Sequence, residues 1–502
     1  MASLARNTVL LTLSGSVEFG LQFAIPMIFV RNLDPEAFGE YRLLWLMAST
    51  ALALAPAFMP QSLFYFLPRA SEDARRAYIG NVLAYLATAG LIVALVTSSL
   101  NPFLPANIGH LFADSRGMSS LFAGCWMVVS LMFVLPTAEG RISWQAGNDI
   151  SLSILRTVLL ASAAIFTRSL AWVMAALLFE AIVRIVMLGA YLATRPGGGR
   201  VAARAAPLVE QVRYALPFAV GNGLFLLRSQ SDQWIVASTL TPALFGMFSI
   251  SAVFLPVAAL IRQPVSNAMM PRLNKAFAEG RFDEIRRLFQ KSSTATTLML
   301  VPLGGALLCV APELVQVVYT GRYTGAVPVM HIYLVGMMLQ GCAAGFVLPA
   351  LNRGRFAVIN NGCCLAISIA CSWFGARHFG LPGAACGSVI SFALSELWSV
   401  AVVARVLGVG VLDLLPWRAL ASAGLASAAG LAGVHLLAPA LGGPVLLVLV
   451  LKGAAFSAVF VLVFLAAGGK SQVDLLGGLS ALPLPLRRRA KPVAAAVNEI
   501  NG

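Results

Sequence analysis

Apolar residues recur along this chain in runs of roughly 20, each bounded by a few polar, proline or glycine positions. A run of that length lets a helix cross a hydrocarbon core of about 30 Å. Inside such a core the backbone must satisfy its own hydrogen bonds, so helices are the expected form. The pattern predicts spans near residues 7–30, 41–67, 78–99, 118–137, 149–167 and 170–193. A seventh opens at Arg213, and others follow near 245–267, 292–313, 326–350, 357–379, 382–407, 417–439 and 443–467. The chain reads as an all-α polytopic membrane protein of about 14 transmembrane helices.

Two features interrupt this rhythm. Pro56 and Pro60 fall inside the second span and predict a kink, because proline removes a backbone donor and crowds the preceding turn. Residues 271–291 are too polar to cross. Their Leu273, Phe277, Ile285, Leu288 and Phe289 suit an amphipathic helix on the cytoplasmic membrane surface, or equally a solvated helical loop.

A short turn occurs twice. Leu33-Asp34-Pro35-Glu36-Ala37-Phe38-Gly39 follows the first span, and Leu240-Thr241-Pro242-Ala243-Leu244-Phe245-Gly246 follows the seventh. Tyr41 is answered by Phe248, and each copy leads on to a Pro-Arg loop, Pro68-Arg69 and Pro271-Arg272. An even number of spans, about six, separates the copies, so both halves enter the membrane in the same direction. They are then two six-helix lobes related by a parallel pseudo-two-fold repeat. The expected organisation is an N-terminal lobe at 1–193, a glycine-rich basic cytoplasmic linker at 194–212 and a C-terminal lobe at 213–410. Two additional helices follow at 411–470, then a cytoplasmic tail at 471–502.

Composition agrees with a protein that folds in lipid. Of 502 residues, 59% are hydrophobic and only 11% charged, where a soluble chain carries about 25%. The net charge of +15 raises nucleic acid as a partner, but its distribution argues against one. Roughly 24 of the 35 Lys and Arg fall in segments assigned to the cytoplasm and roughly five in external loops. That skew sets topology, with both termini cytoplasmic. The first span lacks a small-residue cleavage site and is expected to be retained. Seven cysteines, all in apolar runs and without a CxxC pair, indicate neither a disulfide framework nor a zinc site.

Charges inside spans cost about 2.5–3.5 kcal/mol each on translocon scales, so they usually face a cavity or a partner. The candidates are Glu18, Arg42, Arg156, Glu180, Arg184, Arg228, Asp232, Arg262, Glu396 and Lys452. Glu180 and Arg184, four residues apart, suit a self-neutralising pair. Arg228 and Asp232 share that spacing, yet Asn222, Ser229, Gln230 and Ser231 add polarity beyond one ion pair. Ser14, Glu18 and Gln22 make a polar stripe on the first span, the counterpart of the seventh. Polar stripes on both fit a cavity between the lobes.

These residues resemble the polysaccharide exporters and oligosaccharide-lipid flippases of the multidrug/oligosaccharidyl-lipid/polysaccharide exporter superfamily. The resemblance rests on Asn32 to Tyr41, on Tyr214 to Phe218 opening the seventh span, and on Ser229-Gln230-Ser231-Asp232 within it. It also rests on Pro271-Arg272-Leu273-Asn274, on Gly380 to Ala385, and on Glu313 with Tyr319 to Tyr323. It covers roughly residues 5 to 410 and implies two lobes in a V around a central cavity. It further implies alternating access that moves an undecaprenyl-diphosphate-linked glycan from the cytoplasmic to the periplasmic leaflet of a bacterial inner membrane. Membrane lipid, a polysaccharide polymerase and glycosyltransferases are the partners this role would bring, and nucleic acid is not among them.

Such a cargo needs a cationic cavity for its diphosphate. Arg42, Arg228 and Arg262 are the first choices, since a guanidinium fork matches phosphate oxygens. Arg156, Asp232, Glu18 and Gln22 complete the candidate set, and snorkelling is the plain alternative for Arg42. No cofactor or metal is expected. Coupling to a proton or sodium gradient stays open, with Glu18 or Asp232 as the proton-exchanging groups, although balancing a nearby arginine is the preferred reading for each. A multidrug exporter of the same superfamily or a peptidoglycan-precursor flippase would share this architecture. A membrane glycan polymerase or ligase generally needs a larger external loop than 100–117. No P-loop, HExxH or nucleophile–His arrangement suggests an enzyme.

Overall fold

A computed structural model describes residues 2–98, 116–194, 204–342, 344–351, 354–469 and 471–472, and all regular structure among them is helical. Most of the expected linker (195–203), the 99–115 loop and the tail from 473 lie outside the described residues. The first lobe contains α1 (Ala2–Asn32), α2 (Pro35–Leu54), α3 (Met59–Phe66), α4 (Glu72–Thr97) and α5 (Arg116–Val129). It continues with α6 (Leu135–Ala138), α7 (Ile142–Thr167) and α8 (Leu170–Thr194). The second contains α9 (Ala205–Thr239), α10 (Pro242–Ser251), α11 (Leu255–Ala278), α12 (Phe282–Tyr319), α13 (Val327–Leu339), α14 (Ala344–Ala350) and α15 (Gly354–Leu407). A short α16 (Val411–Leu414) leads to α17 (Trp417–Leu437) and α18 (Val445–Ala466). Among the described residues ten helices are long and apolar enough to cross a membrane. The polar residues of α9 keep it outside that group.

The second span is two helices, not one kinked helix. Between α2 and α3 the chain passes through left-handed conformations at Ala57 (φ 46°) and Phe58 (φ 63°). Pro60 cannot donate to the carbonyl four residues back and its ring crowds that turn, so the helix restarts with Pro60 in the first turn of α3. The corresponding helix of the second lobe is also divided, between α10 and α11.

Residues 271–291 are neither a surface helix nor a solvated loop. They form the end of α11 and the start of α12, joined by a tight turn at Gly280 (φ +67°). Leu273, Ile285, Leu288 and Phe289 are buried in a core with Val347, Val400 and Leu414. The amphipathic pattern was real, but its apolar face packs on protein. Residues 205–212, expected as linker, are the first turns of α9.

α15 folds back on itself at Gly380, whose φ of 63° and ψ of −143° no other residue adopts comfortably. The two arms then approach at backbone contact. A Cβ on Gly383 would lie 2.1 Å from the Gly375 carbonyl oxygen, the close approach that small residues permit in membranes.

The duplicated turns meet each other. Pro35 and Pro242 each begin a helix, and Thr241 accepts a hydrogen bond from the Leu244 amide (3.4 Å) as a helix cap. α2 and α10 cross where Gly39 faces Gly246. A Cβ on Gly39 would lie 1.9 Å from the Pro242 carbonyl oxygen. Arg42 Nε donates to Ser249 Oγ (2.9 Å), and Arg31 donates to the Val317 and Val318 carbonyls (2.6 and 2.8 Å) at the end of α12. Phe38 meets Tyr323 edge to face at 5.7 Å. Further along the seam, Thr50 Oγ1 donates to Gln230 Oε1 (2.6 Å) and accepts from Trp234 Nε1 (3.0 Å). These contacts join the lobes at the end carrying the turns.

Candidate functional site

Inside the second lobe, α9, α11, α13–α14 and both arms of α15 enclose a cavity of about 490 Å³. Its wall mixes apolar side chains with polar ones, among them Arg228, Arg262, Gln340, Asn360 and Glu396. Arg262 Nη2 reaches Glu396 Oε1 at 3.4 Å, and its Nη1 donates to Gln340 Oε1 at 2.9 Å. Glu396 interacts electrostatically with both arginines, so two guanidiniums oppose one carboxylate.

Arg228 is 7% exposed and lies between aromatic rings, 5.4 Å from the Phe392 centroid and 5.7 Å from that of Phe225. Ring faces attract a cation but offer no acceptor in the plane of the guanidinium. Its Nη1 has no hydrogen-bond partner, and neither does Glu396 Oε2. Buried polar atoms are normally paired, and leaving one unpaired costs about 1–3 kcal/mol or more when charged. Asn360 Nδ2 donates to Ser395 Oγ (2.9 Å) and Ser399 Oγ (3.2 Å), lining the same wall with amide and hydroxyl groups.

Arg228 and Asp232, four residues apart, do not neutralise each other. Asp232 is 2% exposed and accepts from the Tyr333 hydroxyl (2.6 Å) and its neighbour Gln233 N (2.7 Å). Beside it Ser231 and Ser368 share a hydrogen bond of 2.7 Å between α9 and α15. Arg228 is thereby left to the cavity. The pair expected at Glu180 and Arg184 does form, buried in α8.

The remaining candidates lie elsewhere. Arg156 stacks over Trp45 at 4.4 Å within the first lobe. Gln22 donates to Glu18 (3.1 Å), while Ser14 of the same stripe is buried and turns to the Ala146 carbonyl (3.5 Å). Arg42 belongs to the seam between the lobes. Of the seven candidates only Arg228 and Arg262 line this cavity; Asp232 is held by Tyr333, Arg42 sits at the seam, and Arg156, Glu18 and Gln22 lie in the first lobe. Sequence reasoning passed over Gln340, Asn360 and Tyr333, although a lone amide in an apolar run signals a polar surface. It also missed Asp149, which accepts from Gln145 (2.9 Å) in the first lobe, beside an Asn148 whose side chain has no partner.

With this geometry the chain compares as follows. The profile of a family described as polysaccharide biosynthesis protein matches residues 28–328. A lipid II flippase MurJ in an inward closed conformation has the same fold, with a TM-score of 0.72 at 11% identity, over 94% of this chain and 100% of that one. An inward-facing multidrug resistance MATE family transporter of the MOP superfamily follows at 0.59 and 13%, over 78% and 95%. A MOP superfamily transporter from Pyrococcus furiosus, described by the reverse polarity of its binding pocket, gives 0.54 and 13%, over 80% and 96%. These are transporters and flippases, not enzymes. No curated protein matches significantly. The chain belongs to the polysaccharide biosynthesis protein family and has the two-lobed, all-helical fold of the MOP superfamily transporters.

Proposed function

We propose that this chain is a flippase that carries a polyprenyl-diphosphate-linked oligosaccharide from the cytoplasmic to the periplasmic leaflet of a bacterial inner membrane. The observation that carries this reading is Arg228, a buried guanidinium without an ion-pair partner in its own helix, lining a cavity where cations outnumber acids. A diphosphate supplies the missing acceptors, and Arg binds it with a fork of parallel hydrogen bonds. Asn360, Gln340 and the serines of α15 suit sugar hydroxyls. The charge distribution favours an external side for the seam at Gly39 and Gly246, and its closure would then correspond to a state shut towards the periplasm. A cavity for drug cations would instead call for an acidic or aromatic lining without buried arginines.

A second reading is favoured by one comparison. The lipid II flippase shares the fold over 94% of this chain, and lipid II is also a polyprenyl diphosphate carrying sugars. A strain lacking the gene separates the two. Undecaprenyl-diphosphate-linked oligosaccharide should accumulate on the cytoplasmic leaflet, with cell-wall synthesis unaffected. Lysis with accumulated lipid II would favour the second reading. An unchanged glycan surface, together with a raised sensitivity to cationic drugs, would overturn both.

A further inference from the structure

A second cavity of about 490 Å³, sharing no lining residue with the first, opens where α12 and α17 begin and beyond the end of α18. Arg287, Lys291 and Arg418 line it, with Gln290, Gln472 and Trp417, and no carboxylate is among its lining residues. Arg287 and Lys291 stand one helical turn apart on one face of α12, and Arg418 projects from the first turn of α17. None of the three cations forms an ion pair among the described residues. Arg287 Nε reaches only the main-chain oxygen of Asp283 (3.3 Å). The adjoining acid, Asp413, enters through its backbone oxygen, which accepts from Gln290 (2.6 Å).

The pocket is built, not incidental. Gln472 is 5% exposed, donates to the Arg418 carbonyl (3.1 Å) and accepts from Ser422 Oγ (3.2 Å), so the segment beyond α18 is tied to the start of α17. Trp417 is 51% exposed, with its Nε1 donating to the Leu412 carbonyl (2.7 Å). An exposed tryptophan with a satisfied indole N–H marks the boundary between headgroups and acyl chains. This end of the bundle carries the 271–291 region, with six Lys and Arg against three acids, which the charge skew assigns to the cytoplasm.

We propose that this pocket binds the phosphate headgroup of an anionic lipid in the cytoplasmic leaflet. Basic pockets between transmembrane helices on the cytoplasmic side take such headgroups. Here the headgroup would neutralise three unpaired cations and hold α17 and α18 against α12. The shared chemistry is a phosphate ester on a long hydrocarbon chain, supplied either by a bilayer phospholipid or by a polyprenyl phosphate. The site lies outside the transport cavity and does not depend on the transport reading.

The test uses the full chain in vesicles of phosphatidylcholine with brominated phosphatidylglycerol or brominated phosphatidylcholine. The difference in fluorescence quenching between the natural chain and Trp417→Phe isolates Trp417. Quenching should favour phosphatidylglycerol, and each of Arg287→Gln, Lys291→Gln and Arg418→Gln should lower that preference about fivefold. Asp73→Asn, in the first turn of α4 in the other lobe, should leave it unchanged and controls for general charge effects. Displacement of the brominated phospholipid by an equal fraction of undecaprenyl phosphate would assign the pocket to the carrier lipid, and its retention to the bilayer phospholipid. Equal quenching by the two brominated lipids, or a preference that survives the triple substitution in a protein of unchanged melting temperature, would overturn the proposal.

Discussion

Arg42 hydrogen-bonds to its own counterpart. Its Nε donates to Ser249 Oγ at 2.9 Å across 207 positions of sequence, the same separation as Pro35 from Pro242 and Gly39 from Gly246. Residues related by the repeat therefore meet on the pseudo-two-fold axis, where the two lobes touch. The charge that the sequence offered for the central cavity belongs to this junction.

The seam should be sensitive to single methyl groups, and unequally so. A Cβ on Gly39 would overlap the Pro242 backbone, which cannot rotate away, whereas one on Gly246 would first meet Phe38 Cδ1 at 3.1 Å. Gly39→Ala should cost about 1–3 kcal/mol, and Gly246→Ala less. Thermal unfolding in detergent, together with thiol labelling of a cysteine placed at Ser249, checks this. Equal melting temperatures and equal labelling would show that the contact does not close.

Arg31 should act as a latch across the same seam. It supplies charge-assisted hydrogen bonds to the C-terminal carbonyls of α12, worth about 1.5–3 kcal/mol. Arg31→Gln should shift the population towards the open seam. Spin-label distances between α1 and α12 should broaden or lengthen, and an unchanged distribution would remove the latch.

The Arg262–Glu396 pair should show coupling. Removing either partner leaves the other half-compensated in a wall of low polarity, at about 3–5 kcal/mol for a buried pair. Arg262→Gln with Glu396→Gln should be more stable than the sum of the single changes predicts, by about 0.5–3 kcal/mol. Strict additivity in a chemical or thermal double-mutant cycle would mean that the two groups do not interact.

The additional helices dock through an ion pair whose sign should be exchangeable. Lys452 Nζ lies 2.6 Å from Glu313 Oε1, and Phe456 fills the space that Gly305 and Gly430 leave open. Lys452→Glu alone should detach α18 and lower the melting temperature. The double change Lys452→Glu, Glu313→Lys should restore most of it, and failure to do so would place the docking energy in Phe456 alone.

The fold was legible because apolar run length and the duplicated turn are local signals. Leu33–Gly39 and Leu240–Gly246 carried the two-lobe plan in their spacing alone. What failed needed tertiary knowledge. The apolar face of 271–291 looked ready for lipid because sequence does not say that Val347 and Leu414 cover it. Pro56 and Pro60 implied a bend, but the positive φ at Ala57 and Phe58 depends on how α3 packs. For the site, helical spacing left open whether Arg228 and Asp232 serve only each other, and the acid's partner, Tyr333, lies a hundred residues away where spacing cannot reveal it. Gln340 and Asn360 were passed over because attention fell on charge.

Flipping of undecaprenyl-diphosphate-linked oligosaccharide by reconstituted protein reads out whether Arg228 receives the cargo's diphosphate. Arg228→Ala should lower the rate by about 30-fold or more, as expected when one partner of a buried charge pair is removed. Arg228→Lys should retain part of the activity, since it keeps the charge but not the fork. Transport at the natural rate by an Arg228→Ala protein that is inserted and folded would show that the diphosphate binds elsewhere.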